Sequence, residues 1–139
     1  MGYHIIDMTS DPRCGQFAYF RQMAYPFAGI TAEIDLTDFM ACKGQRPFFL
    51  SFLYAVTRAA NAVPQLRRRI LEDGTVAEFD WCPPSYTAMK PAGVYVSCTV
   101  EGDLPYEAFV ALGQRRQREV CRRNCHKRKF CNSDCKQKE

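Results

Sequence analysis

No stretch of this sequence is long and apolar enough to cross a membrane: the run from Phe48 to Val63 is interrupted by Arg58 and Asn61. The opening segment, Met1 to Asp7, has neither a basic flank nor an apolar signal core, so no export signal is expected and the chain is expected to be cytoplasmic. Histidine is scarce, with His4 and His126 the only two. Neither Ser51 nor Ser97 has a histidine or carboxylate at a spacing that suggests a triad, which argues against serine catalysis. No internal repeat is visible, so repeat architectures are not expected. The chain also lacks the composition of a disordered segment, with 47% hydrophobic and 24% charged residues.

What is present is a chain of 139 residues, suited to one domain with a modest core. It carries eight cysteines, but without an export signal they are expected to stay reduced. Cys14, Cys42, Cys82 and Cys98 are scattered and read as buried, inert thiols. The net charge of +4 hides an asymmetry. From Arg115 to Glu139 there are ten Lys/Arg against three Asp/Glu, leaving nine against twelve in Met1 to Gln114. Two compositions are joined near Gly113.

Tyr3 to Met8 reads as a short first strand. Asp11-Pro12 suits the start of a helix, followed by Phe17, Phe20, Met23 and Ala24 at helical spacing and closed by Pro26 and Gly29. Thr31 to Thr37 alternates, with Ala32, Ile34 and Leu36 on one side and Thr31, Glu33, Asp35 and Thr37 on the other, which predicts a half-buried strand. Pro47 to Val63 is the strongest helix, ended by Pro64. Its polar stripe of Ser51, Tyr54, Arg58 and Asn61 is narrow, so its other faces are expected to be largely covered. Asp73-Gly74 predicts a tight hairpin leading into Thr75 to Asp80. Val94 to Val100 alternates as another strand, and a final helix starts near Pro105 with Tyr106, Phe109 and Val110 on its apolar side. The mixture predicts an α/β or α+β sandwich, a sheet covered by helices.

Taken in order, these segments resemble the N-terminal half of the chloramphenicol acetyltransferase family over residues 1 to about 113. The resemblance rests on Asp7, Arg13, Phe17, Ile34-Asp35-Leu36-Thr37, Phe52-Leu53-Tyr54, Ala59-Ala60-Asn61, Pro64, Leu66-Arg67, Asp73-Gly74, Asp80 and Pro84-Ser85-Tyr86-Thr87. It implies a CoA-dependent acyltransferase fold that assembles as a homotrimer with active sites between subunits. It implies transfer of an acetyl group from acetyl-CoA to a hydroxyl of chloramphenicol, an antibiotic-resistance activity.

The resemblance assigns Arg13 a structural role, pairing with the aspartate of a His-His-x-x-x-Asp-Gly motif. It places Tyr19, Phe20, Ser85, Tyr86 and Thr87 around the acceptor, and Val96 and Cys98 on a following strand that lines the same pocket. Asp11 and Gln16 depart from the family, which commonly has tryptophan and histidine there. Read without the resemblance, Arg13 is a solvated helix residue, Tyr19, Phe20 and Tyr86 are core aromatics, and Ser85 and Thr87 cap a turn. The catalytic motif itself is absent. No catalytic residue is therefore expected within these residues, and the chain is expected to be truncated and inactive alone.

Residues 114–139 read as a basic, cysteine-rich tail, either disordered or translated out of frame after Gly113. Cys121, Cys125, Cys131 and Cys135 supply four thiols, with His126 beside them, so a non-catalytic binding protein using the tail for zinc or nucleic acid is the alternative reading. Against zinc, the four-residue spacing departs from the usual two, and basic side chains crowd the segment. Against nucleic acid, Phe130 alone is available for stacking.

Overall fold

The computed structural model describes residues 2–90 and 93–122, with side chains through Val120. The described chain is a mixed α/β structure, in agreement with the fold class read from the sequence. It divides into two compact units. The first comprises Met1–Pro47 and Ala59–Cys82; the second comprises Phe48–Arg58 and the chain from Pro83 onward.

The first unit is built on a three-stranded antiparallel sheet of β1 (Tyr3–Ile6), β2 (Arg68–Ile70) and β3 (Val76–Phe79), in the order β1-β3-β2. The Asp73-Gly74 turn sets the register. Gly74 takes a φ of +85°, and counting outward pairs Ile70 with Val76, Arg69 with Ala77 and Arg68 with Glu78. On the other side of β3, Tyr3 pairs with Phe79 and their rings lie 5.2 Å apart. Val76, Ala77 and Glu78 in the central strand are buried.

Three Asp-x-Thr steps make the same local turn. Asp7, Asp35 and Asp73 each accept from the N–H and the hydroxyl of the threonine two residues on, at 2.6–2.9 Å. These bonds to the charged form hold all three carboxyls below their usual range.

Helix α1 (Cys14–Phe20) begins after Asp11-Pro12 as expected. Asp11 accepts the Arg13 N–H at 2.9 Å, and its carbonyl accepts from Cys14. The helix stops at Phe20, before Met23 and Ala24, and buries none of its residues.

The expected strand at Thr31–Thr37 does not form. Residues 26–36 belong to neither sheet, and α2 (Thr37–Lys43) starts where the strand was expected to end. The Asp35 turn takes the N–H of Thr37, and no neighbouring strand among the described residues offers this segment a ladder.

In the second unit, β4 (Ser85–Met89) and β5 (Tyr95–Thr99) form an antiparallel hairpin. Ser85 and Thr87, which pattern alone read as capping a turn, lie in the strand β4. Helix α4 (Tyr106–Arg122) packs on β5 and buries Phe109, Val110 and Gly113. It crosses Gly113 without a break, and the half-buried Gln117 and Val120 extend the same face.

Helix α3 (Phe48–Asn61) is divided between the units at Arg58. Within the second unit, Ser51 Oγ lies 2.7 Å from Tyr106 Oη, and the Tyr54 ring meets the rings of Tyr106 and Phe109, each at 5.3 Å. The expectation that its apolar faces are covered is not met: Leu50, Ser51, Thr57 and Asn61 are buried, while Phe48, Phe49 and Val56 are about half exposed.

Cys14 and Cys42 are exposed and Cys82 is half-buried, so only Cys98 matches the buried thiols expected. No disulfide joins them among the described residues. No helix of the described chain is long and apolar enough to cross a membrane.

Candidate functional site

In the first unit a cleft of about 450 Å³ opens between α1 and the β2–β3 hairpin. Arg13, Gln16, Phe17 and Phe20 border it from the helix, and Arg68 and Ile70 from the sheet. Arg13 is exposed, and its side chain makes no ion pair among the described residues. Tyr19 and Phe20 are 62% and 50% exposed and touch edge to face at 5.6 Å. These aromatics are surface residues, not the core aromatics that pattern alone would make them.

The strongest electrostatic feature beside that cleft was not singled out in the sequence. Arg68 donates to Asp11 at 2.8 Å and to Glu78 at 3.1 Å, and Arg67 donates to the other Glu78 oxygen at 3.1 Å. The Arg13 N–H and then the Arg68 guanidinium hold the Asp11 carboxyl low. Arg68, then Arg67, does the same for Glu78, and both carboxylates raise Arg68 in return. The signal was available: once the hairpin is centred at Asp73-Gly74, counting outward places Arg68 opposite Glu78. Asp11, one of the two departures from the family pattern, is thus an ion-pair partner within the unit.

In the second unit the pleat of the β4–β5 hairpin sorts the predicted residues onto two faces. Cross-strand partners share a face, so Ser85, Thr87, Ser97 and Thr99 stand on one side, with Met89 and Tyr95. Tyr86, Ala88, Val96 and Cys98 stand on the other. The first face is the more exposed. Ser85 Oγ lies 3.0 Å from Ser97 Oγ and accepts from the Thr99 hydroxyl at 3.5 Å. Thr87 is exposed, and its hydroxyl has no hydrogen-bond partner among the described residues. On the second face Cys98 is 4% exposed, and Tyr86 donates its hydroxyl to the Gly113 carbonyl of α4 at 3.5 Å. Burial, with the Cys98 thiol nearby, pushes the Tyr86 phenol upward, against a hydrogen bond from Gln117 that lowers it.

Seven predicted positions therefore fall into three groups: an exposed aromatic pair at Tyr19 and Phe20, an exposed hydroxyl pair at Ser85 and Thr87, and a face under α4 that holds Tyr86 and Cys98, with Val96 beside them. No group of three His, Cys, Asp or Glu side chains able to hold a metal occurs among the described residues. Cys125, Cys131 and Cys135 lie outside the described residues, and of Cys121 only the helical backbone is described.

A solved chloramphenicol acetyltransferase superposes with a TM-score of 0.69 at 30% identity, over 82% of this chain and 55% of its own length. The chain thus spans about half the length of that relative. A search of curated proteins gave no match. The sequence model of one family, chloramphenicol acetyltransferase, matches residues 1–112, which include Arg13, the exposed aromatics and both faces of the hairpin. By that match, over most of its length, the chain belongs to the chloramphenicol acetyltransferase family.

Proposed function

We propose that these 139 residues supply the acceptor-binding side of a chloramphenicol O-acetyltransferase and none of its acid–base chemistry. The observation that carries this reading is the hydroxyl face of the β4–β5 hairpin. It lies inside the family match and presents Thr87 and Ser85 outward, where a polyhydroxylated acceptor can exchange hydrogen bonds with them. By the same resemblance Tyr19 and Phe20 contribute exposed aromatic surface to the acceptor, and Arg13 holds local structure. Tyr86, Val96 and Cys98 act through the opposite face, fixing the hairpin against α4.

Acetyl transfer needs a base to take the proton of the acceptor hydroxyl as its oxygen attacks the thioester carbonyl of acetyl-CoA. It also needs donors for the oxyanion, and the CoA thiolate must leave. Here His4 is on β1 and His126 is in the basic segment, and neither belongs to a His-His-x-x-x-Asp-Gly motif. A positioned general base contributes roughly 10²–10⁴-fold, and an oxyanion donor about 10²–10³-fold. Losing both leaves no measurable turnover from these residues alone. Acetyl-CoA binding, trimer assembly and a cytoplasmic antibiotic-resistance role belong to the whole enzyme in this reading. The segment after Gly113 stands outside the acceptor site.

The test is incubation of the purified chain with acetyl-CoA and chloramphenicol, followed by chromatography of acetylated product. Product formation is a better readout than thiol release, because eight cysteines would consume a thiol reagent. No product above the enzyme-free background is expected. Sustained turnover would end the reading.

A further inference from the structure

We propose that the cleft between α1 and the β2–β3 hairpin is a binding site for a small aromatic carboxylate, its ring held by Phe17, Phe20 and Ile70 and its carboxylate by Arg13. Every residue that borders the cleft belongs to the first unit. At about 450 Å³ the cleft falls within the range of small-molecule sites, about 300–1,000 Å³. Nothing in this site depends on acetyl transfer, so failure of the function proposed above would leave it standing.

The apolar walls leave surface for a ligand to cover. Phe20 on the helix side and Ile70 on the sheet side are 50% and 57% exposed, and Phe17 is half-buried. A planar ring placed between the two walls removes water from both at once. The lining holds no serine, threonine or tyrosine hydroxyl. Its chemistry therefore differs from that of the hydroxyl face on the β4–β5 hairpin, and it suits an apolar body with one charged end.

The sign of that charge follows from the ion pairs. Arg13, Arg68 and Arg69 border the cleft, against the single carboxylate of Asp11. Arg68 and Asp11 are spent on each other at 2.8 Å, and Arg68 also reaches Glu78. Arg69 donates to the carbonyls of Leu66 and Arg68 and meets no carboxylate among the described residues. Arg13 is anchored by its backbone, whose N–H donates to Asp11 at 2.9 Å, while its guanidinium has no partner among the described residues. That planar fork of N–H donors matches the two oxygens of a carboxylate. Asp11 limits the ligand to one negative charge. Its carboxyl is held low, so it is ionised at neutral pH and would repel a dianionic phosphate beside walls that solvate charge poorly.

The experiment titrates naphthalene-2-carboxylate into the full 139-residue chain, isotope-labelled, and reads amide NMR alongside isothermal titration. Saturable shifts are expected at Gln16, Phe17 and Ile70. Arg13→Gln should weaken binding by about tenfold or more, and Arg115→Gln, which removes the same charge from α4, should leave it unchanged. Naphthalene-2-methanol carries the same ring without the charge, and should bind the unaltered chain about tenfold or more weaker, a comparison that needs no variant. Equal affinity for the acid and the alcohol overturns the proposal. So does unchanged affinity in Arg13→Gln. Shifts that avoid the cleft, or no saturable binding, overturn it as well. Tighter binding of 2-naphthyl phosphate than of the carboxylate would overturn the choice of ligand by showing that Asp11 does not limit the charge.

Discussion

Asn61 holds one backbone unit of Cys82 by both of its polar groups: its Nδ2 donates to the Cys82 carbonyl at 2.9 Å, and its Oδ1 accepts the Cys82 N–H at 2.7 Å. Asn61 ends α3 and is 6% exposed, and its own carbonyl accepts from Arg67 at 2.8 Å. One side chain thus ties the helix end to the chain leaving β3. Asn61→Ala strands a donor and an acceptor, and should cost roughly 2–3 kcal/mol in urea unfolding. Asn61→Asp keeps the acceptor but loses the donor, and should fall between. A loss below about 0.5 kcal/mol for the alanine variant would mean that water replaces both bonds.

Acid should weaken the first unit before it affects the hairpin. Asp11 and Glu78 are both held below the ordinary carboxylate range, the first by the Arg13 N–H and Arg68, the second by Arg68 and Arg67. A carboxyl lowered in the folded state gives its stabilisation in full above its unfolded value, near 4, and loses it as pH falls through the folded value. Stability should therefore be flat from about pH 7 to about pH 5 and decline below about pH 4. Urea midpoints across that range check it. Glu78→Gln should start lower at neutral pH and decline less on acidification; an unchanged slope would contradict the assignment.

Gly113 sits in the middle of α4, where alanine would ordinarily favour the helix by about 1 kcal/mol. A Cβ there would meet Leu50 Cδ2 at 2.7 Å and Cδ1 at 3.2 Å, and Leu50 is 1% exposed with little room to move. Overpacking of this kind costs roughly 1–3 kcal/mol. Gly113→Ala should thus be neutral to destabilising by about 2 kcal/mol, and Gly113→Ala on a Leu50→Ala background should stabilise instead. The double-mutant cycle measures the coupling directly, and additive effects would rule out the contact.

The order of elements was legible because its signals are local. Asp73-Gly74 fixed the β2–β3 register, Pro47 and Pro64 bracketed α3, and Pro105 marked the start of α4. What could not be read locally was pairing. Thr31–Leu36 carries a strand pattern with no ladder to join, and the apolar side of α3 at Phe48, Phe49 and Val56 remains half exposed for the same reason. At the candidate site the resemblance proposes the residues, but their division into two faces needed the hairpin register, which pairs Tyr86 with Cys98 and Thr87 with Ser97. The Asp11–Arg68 pair was not legible because it joins residues 57 apart in the chain.

That division makes a prediction of its own. Thr87→Val removes an outward hydroxyl without touching the packed face, and should weaken chloramphenicol binding by about 2–10-fold with little change in stability. Val96→Ala should do the opposite, costing about 1 kcal/mol in unfolding while affinity holds. Isothermal titration and urea melts on both variants separate the faces. Equal effects on affinity would place the acceptor on neither one alone.

Where chloramphenicol binds decides whether these residues form the acceptor side of an acetyltransferase. A titration of the isotope-labelled chain with chloramphenicol, followed by amide NMR, reads this without requiring turnover. Saturable shifts are expected at Ser85, Thr87 and Ser97, on the hydroxyl face of the hairpin. Shifts confined to the residues after Gly113, or none at all, would contradict the assignment of these residues as the acceptor-binding side of the enzyme.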